Sequence, residues 1–197
     1  MIYEKAYDVL KGTLDRLSDP KDGGIVYISE GANAIDIGRT VFAMEHPRIR
    51  LDAGSYVTIG VSMGYAIASW AAYNFPQPKG QAGSGGRKKI VAIEGDSAFG
   101  FSAIEVETMA RYSIDIVVFV MNNSGVYRGD SNTLESCIGE FVGGIGLVVR
   151  TPDELREATE KAYYARTPVV INVIIDPQAD LPMDFSWLDM VKKESKL

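Results

Sequence analysis

Histidine and cysteine each occur once, as His46 and Cys137. A single cysteine excludes an intrachain disulfide and any thiolate metal cluster, and it fits a reducing compartment. A single histidine excludes a multi-histidine zinc site. A serine triad would have to rest on His46, which stands in Met44-Glu45-His46-Pro47, a helix end running into a surface turn. No apolar stretch reaches the roughly 18 residues that span a bilayer. Runs of Lys and Arg are absent and the net charge is −6, so nucleic acid is not an expected partner. The opening MIYEKAYDVLKGTLDRL is a mixed-charge amphipathic pattern and not a signal peptide.

What is present fits one soluble α/β domain over residues 1–197. Hydrophobic residues make up 46% of the chain, enough for a sizeable core. Ile2, Tyr3, Ala6, Val9, Leu10, Leu14 and Leu17 recur at helical spacing, and Asp19 to Gly24 supplies the turn that ends the helix. Ile25 to Ile28 is a short buried strand. Ser29 to Asn33 is a strand-to-helix turn, and the next helix runs to about Met44. Ile59 to Trp70, rich in small residues, predicts a buried helix packed on a sheet.

Residues 75–88 lie in a stretch dense in Pro and Gly and read as an exposed, flexible loop. Ile90–Ile93 and Ile116–Met121 are apolar strands. Between them a helix is expected from Ala103 or Ile104 to Tyr112, with Ile104, Met109 and Tyr112 as packing residues. Thr151 is the expected N-cap and Pro152 the first residue of a helix ending near Arg166. Pro168 to Ile175 is a β-branched final strand, and 178–197 form a tail. Strands alternating with helices predict a three-layer, doubly wound parallel sheet with helices on both faces.

The most informative run is Glu94 to Gly129. Gly95-Asp96-Ser97 follows one apolar strand and Asn122-Asn123 follows the next. One helix and one strand fit between them, so both strands end on the same edge of a parallel sheet. Asp96 and Asn123 then stand side by side where open α/β sheets bind ligands. A carboxylate, an amide oxygen and a nearby backbone carbonyl suit Mg²⁺, which takes its remaining ligands from phosphate and water. Ser97, Ala98 and Gly100 are small enough to let backbone amides approach a diphosphate. The plainer alternative is a βαβ crossover in which Asp96 only caps a helix.

This pattern closely resembles the thiamine diphosphate signature. More specifically, ISEGANAIDIGRT (28–40), LDAGSYVTIGVSMGYAIA (51–68), EGDSAFGFSAIEVETMARYSIDI (94–116) and NNSGVYRGD (122–130) are similar to the C-terminal domain of 2-hydroxyacyl-CoA lyase and oxalyl-CoA decarboxylase. The resemblance runs from about Ile25 to Pro177. It implies that Asp96 and Asn123 bind Mg²⁺ through side-chain oxygens and Gly125 through its carbonyl. Gly95, Ser97 and Ala98 would line the diphosphate, with Val126 and Tyr127 donating amides. Ile59 would hold the cofactor in a bent conformation, and Val57 would hold the aminopyrimidine. Glu30 to Asn33, Gly54 and Ser55 would line the same mouth.

The resemblance also implies thiamine diphosphate as cofactor, an acyl-CoA substrate, a pyrimidine-binding domain or subunit as partner, and a homo-oligomer. Cleavage of a 2-hydroxyacyl-CoA to an aldehyde and formyl-CoA is the implied reaction, with oxalyl-CoA decarboxylation as the alternative. A non-enzymatic interaction module is a third reading.

Three departures from the family pattern are visible. A pyrimidine-binding domain, which in the family supplies the catalytic glutamate, is missing, so no catalytic residue is expected in this chain. Tyr127 to Thr151 is shorter than the family pattern, and the 75–88 loop is longer. The terminal Ser195-Lys196-Leu197 matches a receptor-read peroxisomal address.

Overall fold

Two kinds of periodicity build the molecule. Runs of β-branched residues form the strands, and segments with apolar residues three and four apart form the helices. The structure, a computed structural model, describes residues 1–56, 58–75, 86–125 and 144–177. Val57, Val126, Tyr127, Cys137, most of the 75–88 loop and the tail with Ser195-Lys196-Leu197 lie outside these residues.

The elements in chain order are α1 (Tyr3–Leu17), β1 (Ile25–Glu30), α2 (Ala32–Val41), β2 (Arg50–Asp52), α3 (Ser62–Asn74), β3 (Lys89–Gly95), α4 (Asp96–Ser102), α5 (Glu105–Arg111), β4 (Ile116–Asn122), β5 (Ile145–Val149), α6 (Pro152–Tyr164) and β6 (Val169–Ile174). Among the described residues six strands form one parallel sheet in the order β2-β1-β3-β4-β6-β5. Helices cover both faces, as the alternation of elements predicts.

Side chains alternate between the two faces along each strand. Val117, Phe119 and Met121 of β4 point to a core completed by Tyr7, Leu10 and Leu14 of α1 and Leu155 of α6. Ile116, Val118 and Val120 point the other way, onto Met63 and Ala66 of α3 and Val106 and Met109 of α5. The start of α6 carries a full capping box. Glu154 N donates to Thr151 Oγ1 at 3.3 Å and Thr151 N donates to Glu154 Oε2 at 3.2 Å. The neck of the 75–88 loop is tied by Asn74, whose amide donates to Lys88 O at 2.8 Å and accepts from Lys88 N at 2.9 Å. No helix among the described residues is long and apolar enough to cross a membrane.

Four local expectations are corrected. β1 continues through Ser29 and Glu30, because these residues pair with Ile93 and Glu94 of β3. The chain therefore turns two residues later, at Gly31. α2 ends at Val41, short of Met44. β2 and β5 are additional strands. β2 is short and lies at one edge of the sheet, and β5 lies at the other.

The helix expected from Ala103 or Ile104 to Tyr112 is found as α5, Glu105–Arg111, and an additional helix precedes it. α4 starts at Asp96, and the chain tightens around Ala103 and Ile104, where Val106 N bonds to Ala103 O and Glu107 N to Ile104 O. Such i→i+3 bonds advance the helix faster than 3.6 residues per turn and rotate its register. Val106 and Met109 thereby face the sheet, while Ile104 and Tyr112 are 69% and 66% exposed.

Candidate cofactor-binding site

The chain leaves β1 toward β2 on one side and later returns to β3 on the other. Open parallel sheets bind ligands at such a reversal, outside the carboxyl ends of the strands. Here the two turns concerned are β1–α2 and β3–α4, and they nearly touch. Gly31 has φ +96°, and a Cβ on it would lie 3.0 Å from Gly95 N and 3.1 Å from Gly95 Cα. Only glycine fits there.

Beside this contact opens a cavity of about 180 Å³. Gly31 to Ile35 form one wall and Gly95 to Ala98 another. Asn123 and Gly125 close it from the end of β4, with Thr58 and Ile59 across from them.

Among the described residues, Asp96 is the only carboxylate lining this cavity. Its Oδ1 accepts from Ser97 N at 2.7 Å and its Oδ2 from Gly125 N at 2.9 Å. Burial raises its pKa above the ordinary aspartate value, and the Ser97 and Gly125 amides offset only part of that. A cation beside it would relieve the cost of the buried charge.

Asn123 is buried at 3% exposure and lines the same cavity. Asn122 has a separate task. Its Oδ1 accepts from Ser124 N at 2.9 Å, and Ser124 takes φ +61°. This Asx turn swings Gly125 back over Asp96. Among the described residues no three His, Cys, Asp or Glu side chains gather as a metal cluster. Among the described residues that line the cavity, the Asp96 carboxylate and the Asn123 amide are hard-oxygen donors at neighbouring strand ends. That low-charge, hard-oxygen set fits Mg²⁺ carried in with a diphosphate.

Of the site residues expected from the sequence, Asn33, Ile59, Gly95, Asp96, Ser97, Ala98, Asn123 and Gly125 meet at this cavity. Gly54 and Ser55 do not. They sit in an exposed turn, Gly54–Tyr56, where Gly54 N donates to Asp52 Oδ1 at 2.8 Å. The 3₁₀ turn carries them away from the sheet edge.

Tyr3 was not expected at the site. It reaches the cavity from the first turn of α1, with its hydroxyl hydrogen-bonded to Asn33. Burial, opposed by that hydrogen bond and reinforced by the Asp96 charge, pushes the phenol up to about 12. Tyr3 therefore stays protonated and can donate a hydrogen bond.

Residues 31–129 match the model of the thiamine pyrophosphate enzyme, C-terminal TPP binding domain family. The chain belongs to this family. The family's cofactor is thiamine diphosphate, and the expected site residues meet at the cavity between β1–α2, β3–α4 and the end of β4.

A 2-hydroxyacyl-CoA lyase from Arabidopsis thaliana is 44% identical over 175 residues, covering 78% of this chain and 28% of the relative. An oxalyl-CoA decarboxylase from Escherichia coli is 36% identical over 189 residues, covering 88% of this chain and 31% of the relative. The TPP-binding domain thus spans less than a third of the length of these relatives. In fold, it is similar to the crystal structure of a benzoylformate decarboxylase from Polynucleobacter necessarius. The TM-score is 0.67 at 20% identity, over 89% of this chain and 33% of that one.

Proposed function

We propose that this domain holds thiamine diphosphate and Mg²⁺ for cleavage of a 2-hydroxyacyl-CoA to an aldehyde and formyl-CoA. The observation that carries the proposal is the Asp96, Asn123 and Gly125 constellation, set in a chain 44% identical to a lyase. Asp96 and Asn123 would hold the metal through side-chain oxygens and Gly125 through its carbonyl. Gly31 and Gly95 leave the backbone bare, so amide groups reach the diphosphate oxygens without a Cβ between them. Bound there, thiamine diphosphate supplies the nucleophilic carbon and the electron sink for breaking a C–C bond. Ile59 offers an apolar post at the cavity wall, and Tyr3 holds the Asn33 amide in place. Oxalyl-CoA decarboxylation is the second reading, favoured by the 36% identical relative.

The domain is half of such a site. Asp96 is committed to the metal. Glu30 and Glu94 are fully buried and do not line the cavity. With no other carboxylate lining the cavity among the described residues, we assign the one acting on the aminopyrimidine to a pyrimidine-binding domain. The purified chain is therefore expected to release no aldehyde from a 2-hydroxyacyl-CoA. Adding a matching pyrimidine-binding half restores release. The gain draws on orientation, which is worth about 7–11 kcal/mol in well-aligned systems. Robust turnover by the chain alone would sink the half-site reading.

Ser195-Lys196-Leu197 would direct the chain to peroxisomes. Removing the tripeptide should leave a fluorescently tagged chain in the cytosol. Continued import of the shortened chain, expressed without any partner, counts against the address.

A further inference from the structure

Glu30 and Glu94 are register partners at the ends of β1 and β3, and both are fully buried. Buried carboxyl groups are costly and are retained where they do something specific. Glu30 takes no part in the proposed chemistry, yet three backbone amides converge on it. Gly60 N donates to Oε1. Val61 N donates to Oε2 at 3.0 Å, and Ser62 N at 2.6 Å. These amides belong to the segment entering α3, some thirty residues further along the chain. Ile59, which lines the cofactor cavity, stands next to the first of them.

We propose that Glu30 is a positioning residue whose carboxylate clamps the Gly60–Ser62 backbone and so fixes Ile59 at the thiamine end of the cavity. The proposal rests on the cofactor reading above and deepens it.

The segment needs such a hold. Gly60 has φ +91°, one of many conformations open to glycine, so the residue does little to fix its own backbone. Ile59 is 52% exposed, so packing alone does not fix it. A carboxylate with two oxygens answers three amides, whereas a carboxamide would turn an N–H₂ toward at least one of them. The same segment is tied to the diphosphate turn. Ser62 Oγ donates to Glu94 Oε2 at 2.7 Å, and Glu94 directly precedes Gly95 and Asp96. Glu30 itself directly precedes Gly31. Two buried carboxyl groups and one serine therefore lock three cavity-lining segments into one register. An ordinary helix cap would stabilise α3 and leave ligand preference alone.

The test compares wild type, Glu30→Gln, Ile59→Ala and the double variant as full chains. Hydrogen exchange on the cofactor-free protein comes first. In Glu30→Gln the amides of Gly60, Val61 and Ser62 should exchange about tenfold faster or more, with the body of α3 unchanged. Calorimetry then uses two probes with Mg²⁺, thiamine diphosphate and inorganic diphosphate. Glu30→Gln should weaken thiamine diphosphate about tenfold and inorganic diphosphate less than about twofold. In the Ile59→Ala background it should cost thiamine diphosphate little more, because the two act through one contact.

Unchanged exchange at the three amides overturns the clamp. Equal loss of both probes, or full additivity with Ile59→Ala, overturns the positioning role. If Glu30→Gln does not fold, Glu30→Asp keeps the charge but withdraws the oxygens by one methylene. Intermediate protection at the same amides is then expected, and full protection contradicts the clamp. Failure of the wild type to bind thiamine diphosphate would sink the cofactor reading, while the exchange result still decides the clamp.

Discussion

Asp96 follows β3 and Asp115 precedes the neighbouring parallel strand β4, so the two acids stand at opposite ends of the strands. Their surroundings act on them in opposite directions. Burial dominates at Asp96 and raises its pKa. Burial also raises Asp115, but Trp70 Nε1 donates to it at 2.7 Å and Arg87 at 2.6 Å, with Lys89 Nζ 3.8 Å away. Those partners prevail and its pKa is lowered. A lowered carboxylate contributes stability above the ordinary aspartate range and loses it as pH falls through the folded-state value. Asp115→Asn should therefore unfold at lower urea than wild type at neutral pH, and the gap should narrow as pH falls below that range. A gap that stays constant into acid would contradict the assignment.

Asp96 and Asn123 were legible in the sequence because parallel strands end on one edge and their spacing puts these two residues there, while Gly125 was legible only through the family resemblance. Tyr3 was not legible. Its place depends on a long-range docking in which Asp176 N donates to Met1 O at 2.7 Å and holds the start of α1 beside the end of β6. Nothing local in Ile2-Tyr3-Glu4 encodes that. Glu30 was read as part of a turn, because a charged residue after an apolar run ordinarily marks a strand end. Here three amides make its burial tolerable.

At the scale of elements, local chemistry carried the reading where caps and glycines dominate. Thr151-Pro152-Asp153-Glu154 specifies the start of α6 completely, and the capping box is formed as written. Thr151→Ala should cost about 1 kcal/mol, seen as a fall in Tm of about 2–4 °C for a domain of this size. Thiamine diphosphate affinity should not change, since Thr151 does not line the cavity. A weakened affinity would mean that α6 reaches the site. The α4–α5 segment shows the opposite case. The helix expected from Ala103 or Ile104 to Tyr112 is present as α5, but α4 before it was not expected. The tightened turn at Ala103–Ile104 places Val106 and Met109 over Ile116 and Val118. Of the expected packing residues only Met109 is buried, because Ile104 and Tyr112 lie off that face.

At the scale of the whole molecule, the alternation of strands and helices was enough to predict a parallel sheet covered on both faces. Strand order was beyond it, because β2 and β5 are short or marginal in pattern and both lie at sheet edges. The order places the reversal between β1 and β3. The Gly31–Gly95 approach there, with Asp96 and Asn123 beside it, is the geometry that supports the proposal of a diphosphate and metal site. The most direct measurement is calorimetric titration of thiamine diphosphate into the chain, with Mg²⁺ and then with EDTA, repeated on Asp96→Ala. The expected result is saturable binding that requires Mg²⁺ and weakens at least about 10–100-fold in Asp96→Ala, with the fold retained. Equal affinity in EDTA, or an unaltered affinity in Asp96→Ala, would contradict the assignment of this cavity as the metal-dependent cofactor site.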